Sequence, residues 1–305
     1  MKNIVKTVSN VIKLQKRVLL KLLTLFSRYL GDRFYVKSVY RLRMNKNLDL
    51  KDPQTFNEKL QWLKLNYRNS DLPEMVDKFD AKRYVGDLIG EEYIIPTLGV
   101  WSSFNEIDFE SLPSQFVLKT THDQGGVVIC ENRNLFDIES AKKKINKHLK
   151  TNIYHRSREW PYKDIKPRII AEKYMVDIKQ GELRDYKFFC FDGVPKLLYV
   201  ASNRQNKNDK VRFDYFDMDF NHMDITQAYD HSAVKIEKPK SFNKMVAFAE
   251  VLSKNLPHVR VDFYDINGRL YFGELTFFHH GGFVPFRPEE WDYRLGSYIK
   301  LPIGN

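Results

Sequence analysis

Arg260-Val261-Asp262-Phe263-Tyr264-Asp265-Ile266-Asn267-Gly268-Arg269, continuing through Leu270-Tyr271-Phe272-Gly273 to Glu274-Leu275-Thr276, reads as two strands joined by a tight turn. Side chains alternate along a strand, so Arg260, Asp262 and Tyr264 share one face. Whether Glu274 joins them depends on turn length. A two-residue Asn267-Gly268 turn pairs Ile266 with Arg269 and sends Glu274 to the other face. A three-residue loop, Ile266 to Gly268, pairs Asp265 with Arg269 and therefore Arg260 with Glu274. Asp265 at the first position of a type I turn and Gly268 in the left-handed position favour the longer loop. Asp262 and Glu274 are then expected to converge beside Arg260. Two carboxylates about 4 Å apart repel by about 4 kcal/mol at an effective dielectric of about 20. A cation reverses that cost, and an all-oxygen donor set beside phosphate suits magnesium. The plain alternative is a surface hairpin held by a salt bridge.

Working outward, Phe116-Val117-Leu118-Lys119 is an apolar strand ending in a lysine, followed by the polar loop Thr120-Thr121-His122-Asp123-Gln124-Gly125-Gly126. An ammonium with free backbone N–H groups can hold phosphates. The loop lacks the Gly-Lys-Ser/Thr ending of a Walker motif, and a hairpin with a polar tip fits the same residues. Ile169-Ile170-Ala171-Glu172-Lys173-Tyr174 is a second apolar strand ending in an acid, and Arg184-Asp185-Tyr186-Lys187 opens a third. Strands are expected at 168–175, 184–191, 195–201, 259–265 and 269–276, and at 116–121 and 127–131, with helices at 76–89 and 241–256. Thr55-Phe56-Asn57-Glu58 has the spacing of a capping box at a helix start. The stretch 202–240 is polar and reads as loop-rich.

Composition bounds the rest. The 305 residues hold 50 Lys plus Arg against 39 Asp plus Glu, a formal charge of +11, and 43% are hydrophobic. That excludes a disordered chain. Two cysteines, Cys130 and Cys190, exclude a disulfide scaffold or a Cys-rich zinc site, and a cytoplasmic location is the expectation. Residues 1–31 carry seven Lys or Arg and no acid. Val11, Leu14, Val18, Leu22, Leu25 and Tyr29 recur at steps of three and four on one helical stripe. Two readings stay open for this segment: a helix packed on its own protein, or a basic amphipathic helix lying peripherally on an anionic membrane. Lys21 interrupts the apolar run and no small-residue cleavage site follows, which argues against a secretory signal.

Taken in order, strand-Lys-loop, strand-Glu, Asp-Tyr-Lys, and Arg-x-Asp followed by Gly-Glu-x-Thr resemble the ATP-grasp superfamily, and more narrowly its TupA-like family from polysaccharide gene clusters. The resemblance runs from about residue 53 to 296. It rests on Thr55–Trp62, Asp77-Lys78 to Tyr84-Val85, Phe116–Lys119 with its loop, Ile169–Tyr174, Asp185–Phe188, Arg260–Tyr264 and Gly273–Thr276. It implies an α+β ATP-grasp fold, two lobes enclosing a nucleotide cleft behind an N-terminal helical segment. The divisions expected are 1–50 basic helix, 51–115 mixed helical region, 116–180 small lobe and 181–305 large lobe. The implied ATP contacts are Lys119, Thr120, His122, Asp123, Gly125, Gly126, Glu172, Lys173, Tyr174 and Asp185. Lys119 and Lys187 would lie along the phosphates, with Glu172 near the nucleoside. Arg260 and Lys187 are the implied catalytic residues, and Asp262, Glu274 and Thr276 the implied Mg2+ ligands. Thr276 stands where the superfamily often has Asn. His279 and His280 are read either as acceptor-site residues or as an exposed loop pair.

The activity so implied is an ATP- and Mg2+-dependent carboxylate–amine ligase working through an acyl phosphate. Its acceptor would be a uronic acid of an acidic capsular, O-antigen or cell-wall polysaccharide, and its amine an amino acid. Two rival classes remain. A glycosyltransferase would use the Asp217-Met218-Asp219 triplet with a nucleotide sugar, and a non-enzymatic assembly protein would rest on the basic helix alone. No motif with a nucleic-acid docking mechanism is present, so no nucleic-acid partner is expected.

Overall fold

The computed structural model describes residues 2–177, 182–203 and 210–302. The N-terminal stripe forms a helix, α1 (Lys2–Leu25), followed by α2 (Asp32–Met44). Leu20 and Leu23 of α1 pack on the cluster of Tyr35, Val36 and Tyr40. The stripe named from periodicity points the other way: Val11, Leu14, Val18, Leu22 and Leu25 are exposed, as is Tyr29 beyond the helix. The segment is anchored at its end instead. The buried guanidinium of Arg158 donates to the Leu30 carbonyl at 2.9 Å, meets Asp32 at 2.9 Å and stacks on the Tyr35 ring.

The capping box starts α3 (Phe56–Asn66). The Thr55 hydroxyl accepts from the Glu58 N–H at 3.2 Å, and the Glu58 carboxylate accepts from the Thr55 N–H at 3.0 Å. The helix expected at 76–89 starts later, as α5 (Asp80–Ile89), and a separate short helix, α4 (Leu72–Val76), precedes it. Asp77 separates the two, because its Oδ1 accepts from the N–H groups of Phe79 and Asp80 and offers the backbone a turn in place of a helix.

Two antiparallel sheets carry the rest. The first contains β1 (Thr97–Trp101), β2 (Phe116–Thr120), β3 (Val127–Cys130) and β4 (Ile169–Lys173) in the order β1-β4-β2-β3. Its edge strand β1 thus comes from upstream of residue 116. Helix α6 (Ile138–Leu149) covers this sheet, with Ala141 and Ile145 in the same core as Phe116 and Leu118. A short helix, α7 (Ile153–Ser157), follows.

The second sheet contains β5 (Asp185–Phe191), β6 (Val194–Ser202), β7 (Arg212–Phe216), β8 (His222–Met223), β9 (Val259–Ile266) and β10 (Arg269–Thr276), in the order β10-β9-β5-β6-β7-β8. Strands β7 and β8 lie in the stretch read as loop. Helix α8 (Phe242–Ser253) buries Phe242, Met245, Ala249 and Leu252 in the core of this sheet, and α9 (Glu290–Tyr298) packs beside α3. At about 1.5–3 kcal/mol for each large apolar side chain buried, this aromatic-rich layer is the main anchor of the fold.

The decisive hairpin corrects the expected turn. Ile266 pairs with Arg269, so the turn has two residues, and Asn267 (φ 54°) and Gly268 (φ 85°) both take left-handed conformations. Such a turn matches the right-handed twist of the strands. The register then slips between Phe272 and Glu274, so that Gly273 is an extra residue and Glu274 pairs with Asp262. The bulge restores what the turn would have undone: Glu274 returns to the face of Arg260 and Asp262. Gly273 suits the bulge because a Cβ there would lie 3.0 Å from the Asp262 carbonyl oxygen and 3.2 Å from the Tyr264 ring.

Candidate active site

Between the two sheets lies a cleft of about 410 Å³. Strands β2 and β4 bring Lys119 and Glu172 to one wall, and β5, β9 and β10 bring Asp185, Lys187, Tyr264 and Glu274 to the other. Lys78 and Lys82 enter from the break between α4 and α5 and from α5. Its apolar lining includes Val127, Ile129, Met175 and Leu183.

The first charged group centres on Glu172. Its carboxylate meets Lys119 at 2.5 Å and Lys82 at 2.6 Å. Burial alone would raise the Glu172 carboxyl, but the two ammonium groups hold it at about 2. Lys82 also donates to the Ile95 carbonyl at 2.6 Å, and burial lowers its pKa against the pull of Glu172. Lys78 is likewise lowered by burial, and its ammonium donates to the Asp123 carbonyl.

The second group centres on Asp262, which is wholly buried. Arg260 grips it through both oxygens, Nε to Oδ1 and Nη2 to Oδ2, each at 2.7 Å. Lys187 pairs with the same Oδ2 and stands 3.2 Å from Asp185. The Arg260 Nη2 reaches further, to Glu274 Oε1 and Thr276 Oγ1, both at 3.0 Å. Its Nη1 donates to His279 Nδ1 at 2.8 Å. Arginine can only donate, so His279 carries its proton on Nε2, which donates to Gln227 Oε1 at 2.7 Å. Burial drives the His279 pKa well below the usual range, and burial with Arg260 and Lys187 nearby takes His280 down to about 4. Both are neutral imidazoles folded into the wall; neither is part of an exposed pair. The Glu274 side chain is 43% exposed toward the cleft. Desolvation would raise it, yet Lys187, Arg260 and Lys78 bring its pKa down to about 2.

The residues named from sequence therefore fall into two layers. Lys119, Gly125, Glu172, Lys173, Tyr174, Asp185, Lys187 and Glu274 line the cleft. Arg260, Asp262, Thr276, His279 and His280 stand behind its wall. In the loop after β2, Thr120 and His148 both bond the Asp123 carboxylate, and His122 Nε2 lies 3.0 Å from the Thr151 carbonyl, so these three side chains shape the loop from beneath. Gly126 permits that packing, since a Cβ there would fall 1.9 Å from Thr120 Oγ1. Lys78 and Lys82 are cleft residues that motif reading alone does not single out. Their signal is a four-residue spacing astride the helix break, visible once Asp77 is read as a turn former. The Asp217-Met218-Asp219 triplet is remote from all of this. It forms the β7–β8 turn, where Asp217 accepts from the N–H groups of Asp219 and Asn221 at 3.0 and 2.8 Å.

A family model described as TupA-like ATPgrasp matches residues 58–300. The chain belongs to that family. Its two sheets and helices are the α+β arrangement expected of an ATP-grasp protein. Similar solved structures include the ATP-grasp ligase PsnB complexed with minimal precursor, Mg and ADP (9% identity, 72% of this chain and 57% of that one, TM-score 0.38). They also include the D-alanine–D-alanine ligase from Helicobacter pylori (14% identity, 80% and 69%, TM-score 0.40) and the D-cycloserine synthetase DcsG (18% identity, 67% and 62%, TM-score 0.37). The chain spans less than two thirds of the length of PsnB and DcsG. No curated protein matches it.

Proposed function

We propose that this TupA-like ATP-grasp chain is an ATP- and Mg2+-dependent ligase that activates a carboxylate and joins it to an amine. The observation that carries the reading is the convergence of four lysines (Lys78, Lys82, Lys119 and Lys187) with Glu172, Asp185 and Glu274 in one cleft, the charge pattern needed around a polyphosphate and its cation. The apolar lining that includes Val127, Ile129, Met175 and Leu183 suits a flat base, and the ammonium groups suit the phosphates. A carboxylate oxygen of the acceptor attacks the terminal phosphorus of ATP, and ADP leaves. The amine then attacks the acyl carbon, phosphate departs, and the nitrogen gives up a proton. No nucleophilic side chain is required; lysines that offset the developing charge on the transferred phosphoryl group are.

Asp262 and Glu274, directly opposed on β9 and β10, and the Thr276 hydroxyl 3.4 Å from Glu274 form an all-oxygen set that fits Mg2+. When bound, the ion would neutralise phosphate charge during transfer. Both Asp262 oxygens are engaged by Arg260 and Lys187, so its participation requires Lys187 to turn toward the nucleotide. Arg260 acts in this scheme as a positioning residue that aims Asp262 and Glu274 from behind.

The family resemblance and the +11 charge support an acidic polysaccharide intermediate bearing a uronic acid as acceptor, with an amino acid as the amine. The exposed apolar stripe of α1, flanked by lysines and without acids, supports peripheral placement on an anionic membrane, each basic residue near the surface adding about 1 kcal/mol. No helix among the described residues is long and apolar enough to cross a membrane.

A thermal-shift screen of Mg2+ with ATP against common nucleotide sugars tests the reading. At 100 times the dissociation constant, Mg-ATP should add about 2.7 kcal/mol of apparent stability. Glu274→Gln and Asp262→Asn should each abolish most of that shift and the double variant little more, because residues acting on one ion are not additive. Asp217→Asn should leave it intact. A shift with nucleotide sugars that vanishes in Asp217→Asn would hand the case to a glycosyltransferase.

A further inference from the structure

We propose a second cation site, independent of the nucleotide cleft, in which Asp214, His222 and His231, joined by Asp224, bind a divalent transition-metal ion of the zinc class.

The site follows from strand alternation. Phe216 pairs with His222 and Tyr215 with Met223, so the next step of the β7–β8 ladder sets Asp214 across from Asp224. Asp214, Phe216, His222 and Asp224 therefore share one face. The His222 ring stands edge-on to Phe216 with centroids 5.4 Å apart. The return after β8 delivers His231 onto this face, its ring centroid 4.8 Å from that of His222. One ligand atom from each of Asp214, His222 and His231 lies within 4.8 Å of the other two.

The spacings are those of coordination. Donors 2.0–2.2 Å from a tetrahedral ion stand about 3.4 Å from one another. Asp214 Oδ1 is 3.4 Å from His222 Nε2 and 3.7 Å from His231 Nδ1, while His231 Nε2 is 3.7 Å from Asp224 Oδ1. Closing the set needs Asp214 and His222 to swing toward the Nε2 side of His231, where Asp224 already stands. Asp224 is fully exposed and free to swing in.

The tautomer of His231 is also set for a metal. Its Nδ1 lies 3.1 Å from the Phe213 carbonyl, which can only accept, so Nδ1 carries the proton and Nε2 keeps its lone pair. That Nε2 is buried and has no hydrogen-bond partner. A carbonyl holding the far nitrogen of a histidine is the usual outer support of a metal ligand. Further bonds brace the set. The Ser232 N–H donates to both Asp214 oxygens at 3.1 and 3.2 Å, and Arg212 donates to the His231 carbonyl at 3.3 Å.

Two imidazoles with one or two carboxylates favour a borderline ion over magnesium, which separates this site chemically from the cleft. It is separate in space as well: β5 and β6 lie between β9 and β7, about 14 Å at sheet spacing. An ion there would tie β7, the two-residue edge strand β8 and the 224–231 return together.

The test uses the full chain, freed of metal with chelator and dialysed into buffer with excess Mg2+. Titration with zinc chloride should show one equivalent bound, and cobalt chloride should give the visible absorption of a four-coordinate ion. His231→Gln and His222→Gln should each weaken zinc binding by more than about tenfold, while their metal-free circular dichroism and Mg-ATP thermal shift match the wild type. Should a histidine variant misfold, Asp224→Asn, on an exposed side chain, carries the same comparison. Absence of a zinc equivalent in the wild type, or binding unchanged in both histidine variants, would overturn the proposal. So would zinc binding lost in Glu274→Gln, which would put the ion in the nucleotide cleft.

Discussion

Replacing Glu172 by glutamine removes the one negative charge that two nearly buried lysines share. Its oxygens stand 2.5 Å from Lys119 and 2.6 Å from Lys82. At an effective dielectric of about 20, each attraction is about 6–7 kcal/mol before desolvation is counted. Most of this offsets the cost of burying three charges, and removing one partner of such a set leaves a net loss of about 3–5 kcal/mol. A second route agrees. Against burial, the lysines bring the Glu172 carboxyl from its ordinary 4.5 to about 2, a difference worth about 3.4 kcal/mol. Glu172→Gln should therefore destabilise the protein by about 3–4 kcal/mol at pH 7, read from urea midpoints at constant slope. The pH dependence has a fixed sign. A carboxyl depressed on folding contributes fully above pH 4.5, and that contribution is lost as pH falls toward 2. At pH 3.5 about 1.4 kcal/mol of it is gone, so the gap between wild type and variant should narrow by that amount. A loss under 1 kcal/mol at pH 7, or a gap that widens in acid, would show that water or conformational freedom already compensates the lysines.

Other consequences can be checked as directly. Gly273→Ala places a Cβ 3.0 Å from the Asp262 carbonyl oxygen and 3.2 Å from the Tyr264 ring, on the half-buried edge strand β10. It should cost about 1–3 kcal/mol and lower the Mg-ATP thermal shift by displacing Glu274; an unchanged melting point and shift would mean that the bulge does not aim Glu274. Deleting residues 1–25 should abolish binding to anionic vesicles and leave the Mg-ATP thermal shift nearly intact. Raising salt should weaken the full chain's vesicle binding, because surface charge is screened within about 10 Å at 0.1 M. A truncated chain that unfolds would show that Leu20 and Leu23 matter as core.

What could be read from the sequence was local. Alternation alone puts Arg260, Asp262 and Tyr264 on one face, and the apolar runs ending in Lys119 and Glu172 are strands whatever they pack on. The turn is ambiguous in sequence, because Asp265 and Gly268 satisfy a three-residue loop as well as the two-residue one. Glu274 still reaches the expected face, since the bulge at Gly273 shifts the register by the residue that the shorter turn removed. A bulge has no local signature beyond a glycine; it is decided by the approach of the neighbouring strand. Strands β7 and β8 read as loop because Asp214, His222 and Asp224 interrupt the apolar pattern, the same residues that belong to the proposed metal site.

The N-terminal helix shows the complementary limit. Periodicity identified a stripe, and the stripe exists, but spacing cannot say which surface a stripe meets. Leu20 and Leu23, off the chosen line, pack on the body of the protein. The buried ion pairs were illegible for a related reason. Lys187 is 75 positions from Asp262, and His279 meets Gln227 across 52. Each of these groups taken singly reads as an ordinary polar surface residue. A buried charge is tolerable only where its partner is already in place, so Lys187 marks a site only after β5 has been laid beside β9. The order of the motifs along the chain supplied that pairing in advance. It could do so because the motifs sit on neighbouring strands, and their spacing in sequence is the spacing that a sheet brings together.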